Sequence, residues 1–181
     1  MDHAATIIKA VANIVAVAGV LFAVWKGLEE LKRQRKQRDE ELALRRMEIA
    51  QKLLEAFGQD EKAKDATLMM DWTGRAYQIA PGITATISWQ DVQQGLRIHS
   101  TTSHFNQKEV YIRDCMDAFL LHAGAMARTH RRGLIELDDL RDGIGYYLKR
   151  ADQQLGKALY DYMEECDLTD AARLFKLLLP T

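Results

Sequence analysis

The sequence predicts an all-α protein in which a single N-terminal transmembrane helix continues into a cytosolic helical bundle. Three observations lead there. From Ala10 to Trp25 no side chain is charged. Lys and Arg then crowd the C-terminal flank of that run and not its N-terminal flank. Beyond it, apolar residues recur at helical spacing in a chain of 181 residues with only two prolines. The expected organisation is an anchor over 1–25, a basic neck and helical arm over 26–59, and a helical domain over 60–181, one core being the default for that length.

The anchor extends back to Ala4 at the cost of Thr6 and Lys9, about 22 residues and long enough for a hydrocarbon core of ~30 Å. Lys9 can snorkel to the headgroups and Trp25 suits the opposite interface. Asp2 and His3 flank one side; Lys26, Lys32, Arg33, Arg35, Lys36, Arg38, Arg45 and Arg46 follow the other. Positive residues stay inside, which predicts an inner-membrane protein with its N-terminus outside and its body in the cytoplasm. Two competing readings are a buried soluble helix and a signal peptide cut after Ala16-Val17-Ala18. The signal peptide fits poorly, because its hydrophobic core would be short and the basic stretch would resist translocation. Ala12 with Ala16 and Gly19 with Ala23 repeat a small-xxx-small pattern that lets helices approach closely, and Asn13 in lipid gains by bonding to a neighbour. Lys9, Asn13, Ala12, Ala16, Gly19, Ala23 and Trp25 are therefore the expected membrane and self-association residues of a homo-oligomer.

The neck, Lys32 to Glu41, is polar on every side, so partners or charge pairs must hold it. Lys32, Arg33, Arg35 and Lys36 are placed to meet anionic headgroups. Apolar spacing returns at Leu42, Met47, Ala50, Leu53, Leu54 and Phe57, and Gly58 ends the arm. A second helix is expected over Asp60 to Ile79, burying Ala63, Ala66, Met70 and Tyr77 alongside Trp72, and stopped by Ala80-Pro81-Gly82. Ile83 to Ile87 is a short extended segment without a partner strand. Ser88 with Asp91, and Asn106 with Glu109, are capping pairs for the next two helices. Ile112, Cys115, Phe119, His122 and Met126 form the buried stripe of the second of these, with Glu109, Arg113 and Asp117 opposite as i,i+4 charge pairs and Gly133 as its end. One long helix is expected from Leu137 to Cys166, and Thr169 caps a short last helix.

Ten Lys and Arg against eight Asp and Glu precede Asp60, and fifteen against eighteen follow. A body this close to neutral has no electrostatic footprint for duplex nucleic acid. Cys115 and Cys166 lie in apolar helical patterns without metal-ligand spacing, as reduced, buried thiols in a cytosolic body. No phosphate-binding glycine loop, HExxH or GxSxG is present. No metal, cofactor or catalytic set is expected. His122 falls on the apolar face as a hydrogen-bonded core residue, and His130 ends its helix beside Arg128, Arg131 and Arg132, where cations suit the dipole. Where Trp72, Arg75 and Tyr77 are exposed, they form the expected partner surface of a scaffold.

Arg97 and His104 resemble the Arg-x4-6-His signature of HEPN ribonucleases, which implies a membrane-tethered ribonuclease with the His in proton transfer. Ser100 to Ser103 between them depart from the helical setting of that motif. In layout, the basic-necked anchor of Ala4 to Arg46 followed by Asp60 to Leu179 resembles small bacterial single-pass membrane proteins, including the pore-forming membrane accessory proteins of type VI CRISPR systems. That resemblance implies an oligomeric, pore-forming assembly in phage defence or stress and transfers no functional residue. The sequence therefore leads to a non-enzymatic, oligomeric membrane protein whose body senses or binds an unidentified cytosolic partner. A tethered ribonuclease and a plain membrane scaffold are its two alternatives.

Overall fold

A computed structural model describes the backbone of residues 2–99 and 104–179, with the side chains of Phe22, 25–99 and 104–179. It divides into two compact units, Met1–Leu44 and Arg45–Thr181. The described residues of the first belong to helix α1, Asp2–Gln59. Each described side chain from Phe22 to Arg45 is exposed, with the Phe22 and Trp25 rings 6.0 Å apart. Among the described residues no helix is long and apolar enough to cross a membrane. The anchor expected over Ala4 to Trp25 falls almost wholly on the part of α1 whose side chains lie outside the described residues.

The second unit is mainly helical. After α1 come α2 (Glu61–Asp71), a hairpin of β1 (Arg75–Ala80) and β2 (Ile83–Ile87), α3 (Trp89–Gly95), α4 (Gln107–Arg131) and α5 (Asp138–Leu140). A π-helical segment, Arg141–Gly145, leads into α6 (Tyr146–Leu155), followed by α7 (Lys157–Glu165) and α8 (Thr169–Leu178). The bundle is organised around α4, which packs against α2, α3, α8 and β1. Its inner face buries Ile112, Cys115, Met116, Phe119, Leu120, Ala123 and Met126, the stripe its helical period dictates. Phe57 at the end of α1 enters this core against Phe119 and Tyr147, with ring centroids 5.9 and 6.3 Å away.

Both expected capping boxes form. The Ser88 hydroxyl accepts from the Asp91 amide, and the Asn106 side chain from that of Glu109. Three expectations about the elements are corrected. The helix foreseen over Asp60 to Ile79 stops at Asp71, where Trp72 turns extended, and Arg75–Ala80 supplies the partner that Ile83–Ile87 lacked. The strands pair antiparallel with Arg75 opposite Ile87 and Tyr77 opposite Ala85. Pro81 and Gly82 close the hairpin, and Gly82 at φ 75° takes the left-handed position after proline that a type II turn reserves for glycine. Secondly, Leu137 to Cys166 is not one helix. Gly156 at φ 46° breaks it, and the π-helical turn precedes α6. Gly143 in that turn lies so close to α1 that a Cβ there would sit 2.6 Å from Leu54 Cδ2, so only glycine fits without displacing the leucine. Thirdly, Thr169 is the first residue of α8, which has Leu168 at its N-cap and no side-chain cap.

Tyrosine–aspartate hydrogen bonds tie the helices together. The Tyr111 hydroxyl donates to Asp65, joining α4 to α2. Tyr146 donates to Asp71 at 2.8 Å, joining α6 to α2. Tyr160 donates to Asp152 at 2.8 Å across the Gly156 break. Tyr162 donates to Asp117 at 2.6 Å, joining α7 to α4. A phenol carries its polar atom on a large apolar ring, so the buried Tyr162 fills with its ring the interface its bond crosses, whereas Tyr146 bonds from the surface at 55 % exposure.

Candidate binding groove

Arg97 follows the C-terminus of α3 and reaches the first turn of α4. Its guanidinium donates to both carboxylate oxygens of Glu109, Nη1 to Oε1 at 2.5 Å and Nη2 to Oε2 at 3.0 Å. It also donates to the His104 carbonyl at 3.2 Å and lies over the Phe105 ring at 5.0 Å. Arg97 holds the Glu109 carboxyl below the usual carboxylate range against the opposing effect of burial, with the Asn106 amide adding to it. This pairing also corrects the expected alignment of Glu109, Arg113 and Asp117. Glu109 is buried and serves Arg97. Arg113 donates to the carbonyls of Gly95 and Arg97 at 3.1 and 3.0 Å and lies between the rings of Phe105 and Tyr162. Asp117 accepts from Tyr162. Each group bonds a tertiary partner, because α4 is packed on several sides. Arg97 and His104 thus meet through a backbone carbonyl, and the fork of Arg97 is occupied by Glu109. Residues 100–103 lie outside the described residues.

A groove runs along the seam of α2 and α4. Two concavities, of about 630 and 360 Å³, both reach Lys62 and Asp114, whose ion pair stands between them. The larger is lined by Asp60, Asp117, Ala118, Leu121, His122 and Ala125, the smaller by Ile79, Ala80, Val110 and Tyr111 among others. Asp60 is the N-cap of α2. Its Oδ1 accepts from the amides of Lys62 and Ala63 at 2.9 and 3.1 Å, and its Oδ2 lies 3.2 Å from His122 Nε2. A carboxylate can only accept there, so Nε2 carries the proton. Burial opposes the charge of Asp60, but the Ala63 amide, His122 and the Lys62 amide outweigh it and keep the carboxyl below its ordinary value. His122, set edge-on to Phe57 at 5.7 Å, is the hydrogen-bonded, half-buried histidine its position on the apolar stripe predicts. Nδ1 of His130 lies 3.1 Å from the Ile135 carbonyl at the end of α4.

Val110 and Leu121 leave 46 % and 55 % of their surface exposed along this groove. Sequence reasoning missed them, although they stand four residues before Asp114 and four after Asp117 on one line of α4. With Asp117 and the Lys62–Asp114 pair in the middle and apolar residues at the ends, the groove is equipped to hold a helix carrying basic and apolar side chains. Among the described residues no group of three or more His, Cys, Asp and Glu side chains is placed to hold a metal ion.

The remaining expected residues are distributed as follows. Lys9, Ala12, Asn13, Ala16, Gly19 and Ala23 lie on α1 with side chains outside the described residues, while Trp25 is exposed. Lys32, Arg33, Arg35 and Lys36 are all exposed, and Lys36 meets Glu40 at 3.7 Å. The surface expected from Trp72, Arg75 and Tyr77 separates. Trp72 is 63 % exposed and Arg75 is exposed, but Tyr77 is 5 % exposed and belongs to the hydrophobic core. Comparison with known proteins finds no matching family model, no matching curated protein and no matching solved structure.

Proposed function

We propose that this chain is a membrane-anchored, self-associating protein whose helical body binds a partner in the cytoplasm. The observation that carries the reading is the run of α1 from Phe22 to Arg45, in which every described side chain is exposed, Trp25, Leu28, Leu31, Leu42 and Leu44 included. Isolated helices owe most of their stability to packing on an apolar face. A stretch this long and this exposed takes its packing from outside its own chain, from lipid at its start and from other copies beyond. The uncharged run from Ala10 to Trp25 and the one-sided Lys and Arg support the same reading, with the N-terminus outside and the body inside. A ring of such anchors, with Lys9 and Asn13 at one mouth, is the form in which the assembly would act as a pore-forming effector in defence or stress.

Alkaline extraction of membranes from cells making the full chain, followed by native mass spectrometry in detergent, tests both halves. The chain is expected in the membrane pellet and as an oligomer that Asn13→Leu or Gly19→Leu weakens. Recovery in the soluble fraction overturns the anchor, and a strict monomer overturns the assembly. One observation favours a tether or scaffold as the second reading: Trp72 is largely exposed beside Arg75 at the base of the hairpin. A pull-down in which Trp72→Ala leaves the partner list unchanged counts against that surface. The ribonuclease alternative draws no support from Arg97, whose guanidinium is engaged by Glu109.

A further inference from the structure

Val110, Asp114, Asp117 and Leu121 follow one another at intervals of four, three and four residues. At 100° per residue they fall within an arc of about 60°, forming a straight stripe about 16 Å long on α4. All four line the groove between α2 and α4. The neck of α1 carries Leu31, Arg35, Arg38 and Leu42 at the same intervals, and so on a stripe of the same width and length. Leu31 and Leu42 are 54 % and 52 % exposed, and Arg35 and Arg38 are exposed as well. One stripe runs apolar, acidic, acidic, apolar; the other runs apolar, basic, basic, apolar. Because the intervals are symmetric, the match holds for either direction of the docked helix.

We propose that the α2–α4 groove receives the neck of a second copy of this chain, Arg35 and Arg38 meeting Asp114 and Asp117 while Leu31 and Leu42 cover Val110 and Leu121. The inference rests on the self-association part of the function proposed above and names its contact. Apolar ends give the contact its burial, and the charges set its register and exclude neutral or acidic helices. Arg33 and Lys36 lie on the other side of the neck helix, which leaves them for headgroups while the Leu31–Leu42 stripe is occupied. The exposed neck then has a protein partner on its Leu31–Leu42 side and lipid on the other.

Charge reversal in two chains tests this. Full-length R35E/R38E and D114R/D117R are each expected to self-associate at least about tenfold more weakly than the unaltered chain in a neutral detergent, by sedimentation. Mixing the two restores assembly, because the acidic neck of one meets the basic groove of the other. An unaltered chain that is monomeric overturns both this contact and the self-association reading. An oligomer that R35E/R38E leaves intact overturns the contact alone. Loss with the neck reversal but not with the groove reversal also overturns it, as does recovery in a chain carrying all four changes without recovery in the mixture. Should D114R/D117R melt early, V110K/L121K replaces it, since both residues are surface-exposed and their change spares the core. Assembly unaffected by that pair overturns the groove.

Discussion

Tyr162→Phe isolates one tie between α7 and α4. The phenol is 1 % exposed and donates to Asp117 Oδ1 at 2.6 Å, while its ring lies 4.7 Å from the Arg113 guanidinium. Phenylalanine keeps the ring, the cation–π contact and nearly all the volume, so the change removes the hydroxyl and little else. A hydrogen bond to a charged acceptor contributes ~1.5–3 kcal/mol. Asp117 is half-buried and lines the open groove, so water can replace part of what it loses. The expected cost is about 1–2 kcal/mol. Urea unfolding of the full chain in detergent, followed by far-ultraviolet circular dichroism, should move the midpoint down by that amount at unchanged slope. Asp117→Asn and the double variant complete a cycle with a coupling of about 1 kcal/mol. A single-variant loss under ~0.5 kcal/mol, or additive losses, would refute the assignment of this bond as a structural tie.

Four further outcomes follow from the structure. Asp60, Asp91 and Glu109 titrate below their ordinary values in the folded chain, so the stability they contribute is present above pH ~4.5 and is lost as the pH falls through their folded values; acid titration of the melting temperature checks this. Burial pushes the Cys115 thiol and the Tyr77 phenol up to about 12. Their contribution is complete below their unfolded values of ~8.5 and ~10 and declines as the pH rises toward 12, which an alkaline melt series would detect as falling stability. Cys166, expected to be buried, is exposed just after α7, so a thiol reagent at pH 8 should titrate it and not the buried Cys115, with both reacting in denaturant. Lastly, Asp167 sits at φ 52° in the turn after α7, with its amide and that of Leu168 bonded to the Glu164 and Met163 carbonyls. Gly133 occupies the equivalent place after α4 at φ 71°, and Asp167→Gly should raise stability by about 0.5–1 kcal/mol in the same urea assay.

Where local chemistry decides structure, it was visible in the residues. The Ser88 and Asn106 capping boxes need only side chains three residues apart, and the buried stripe of α4 needs only a period. The hairpin was hidden because Ala63, Ala66, Met70 and Tyr77 keep a helical rhythm through Gly74. Tyr77 is buried as that rhythm requires, but from a strand, because it stands seven residues after Met70, the spacing of about two helical turns. The break at Gly156 was hidden for a related reason. Ala151, Leu155 and Leu159 stay in phase across it and are all buried, so apolar spacing carries no trace of the interruption. Of the candidate groove, His122 was foreseen as a hydrogen-bonded core residue, but its partner Asp60 is 62 residues away and no local pattern links them.

The outer side of α4 shows why a binding stripe is harder to read than a core. A period search asks which positions must be apolar and discards the rest as solvated surface, so Val110 and Leu121 vanish as single exposed hydrophobes of the kind every protein carries. They acquire meaning only with Asp114 and Asp117 between them, and only when a second helix with the same intervals and opposite charge stands exposed elsewhere in the chain. Neither helix needs the apolar ends of its stripe to fold: the α4 core is complete beneath Val110 and Leu121, and the neck buries none of its described side chains through Arg45. Asp117 also ties α4 to Tyr162, so its reversal costs stability, whereas Val110 and Leu121 are free to be selected for what they meet, and V110K/L121K should change assembly while leaving the melting of the body where it was.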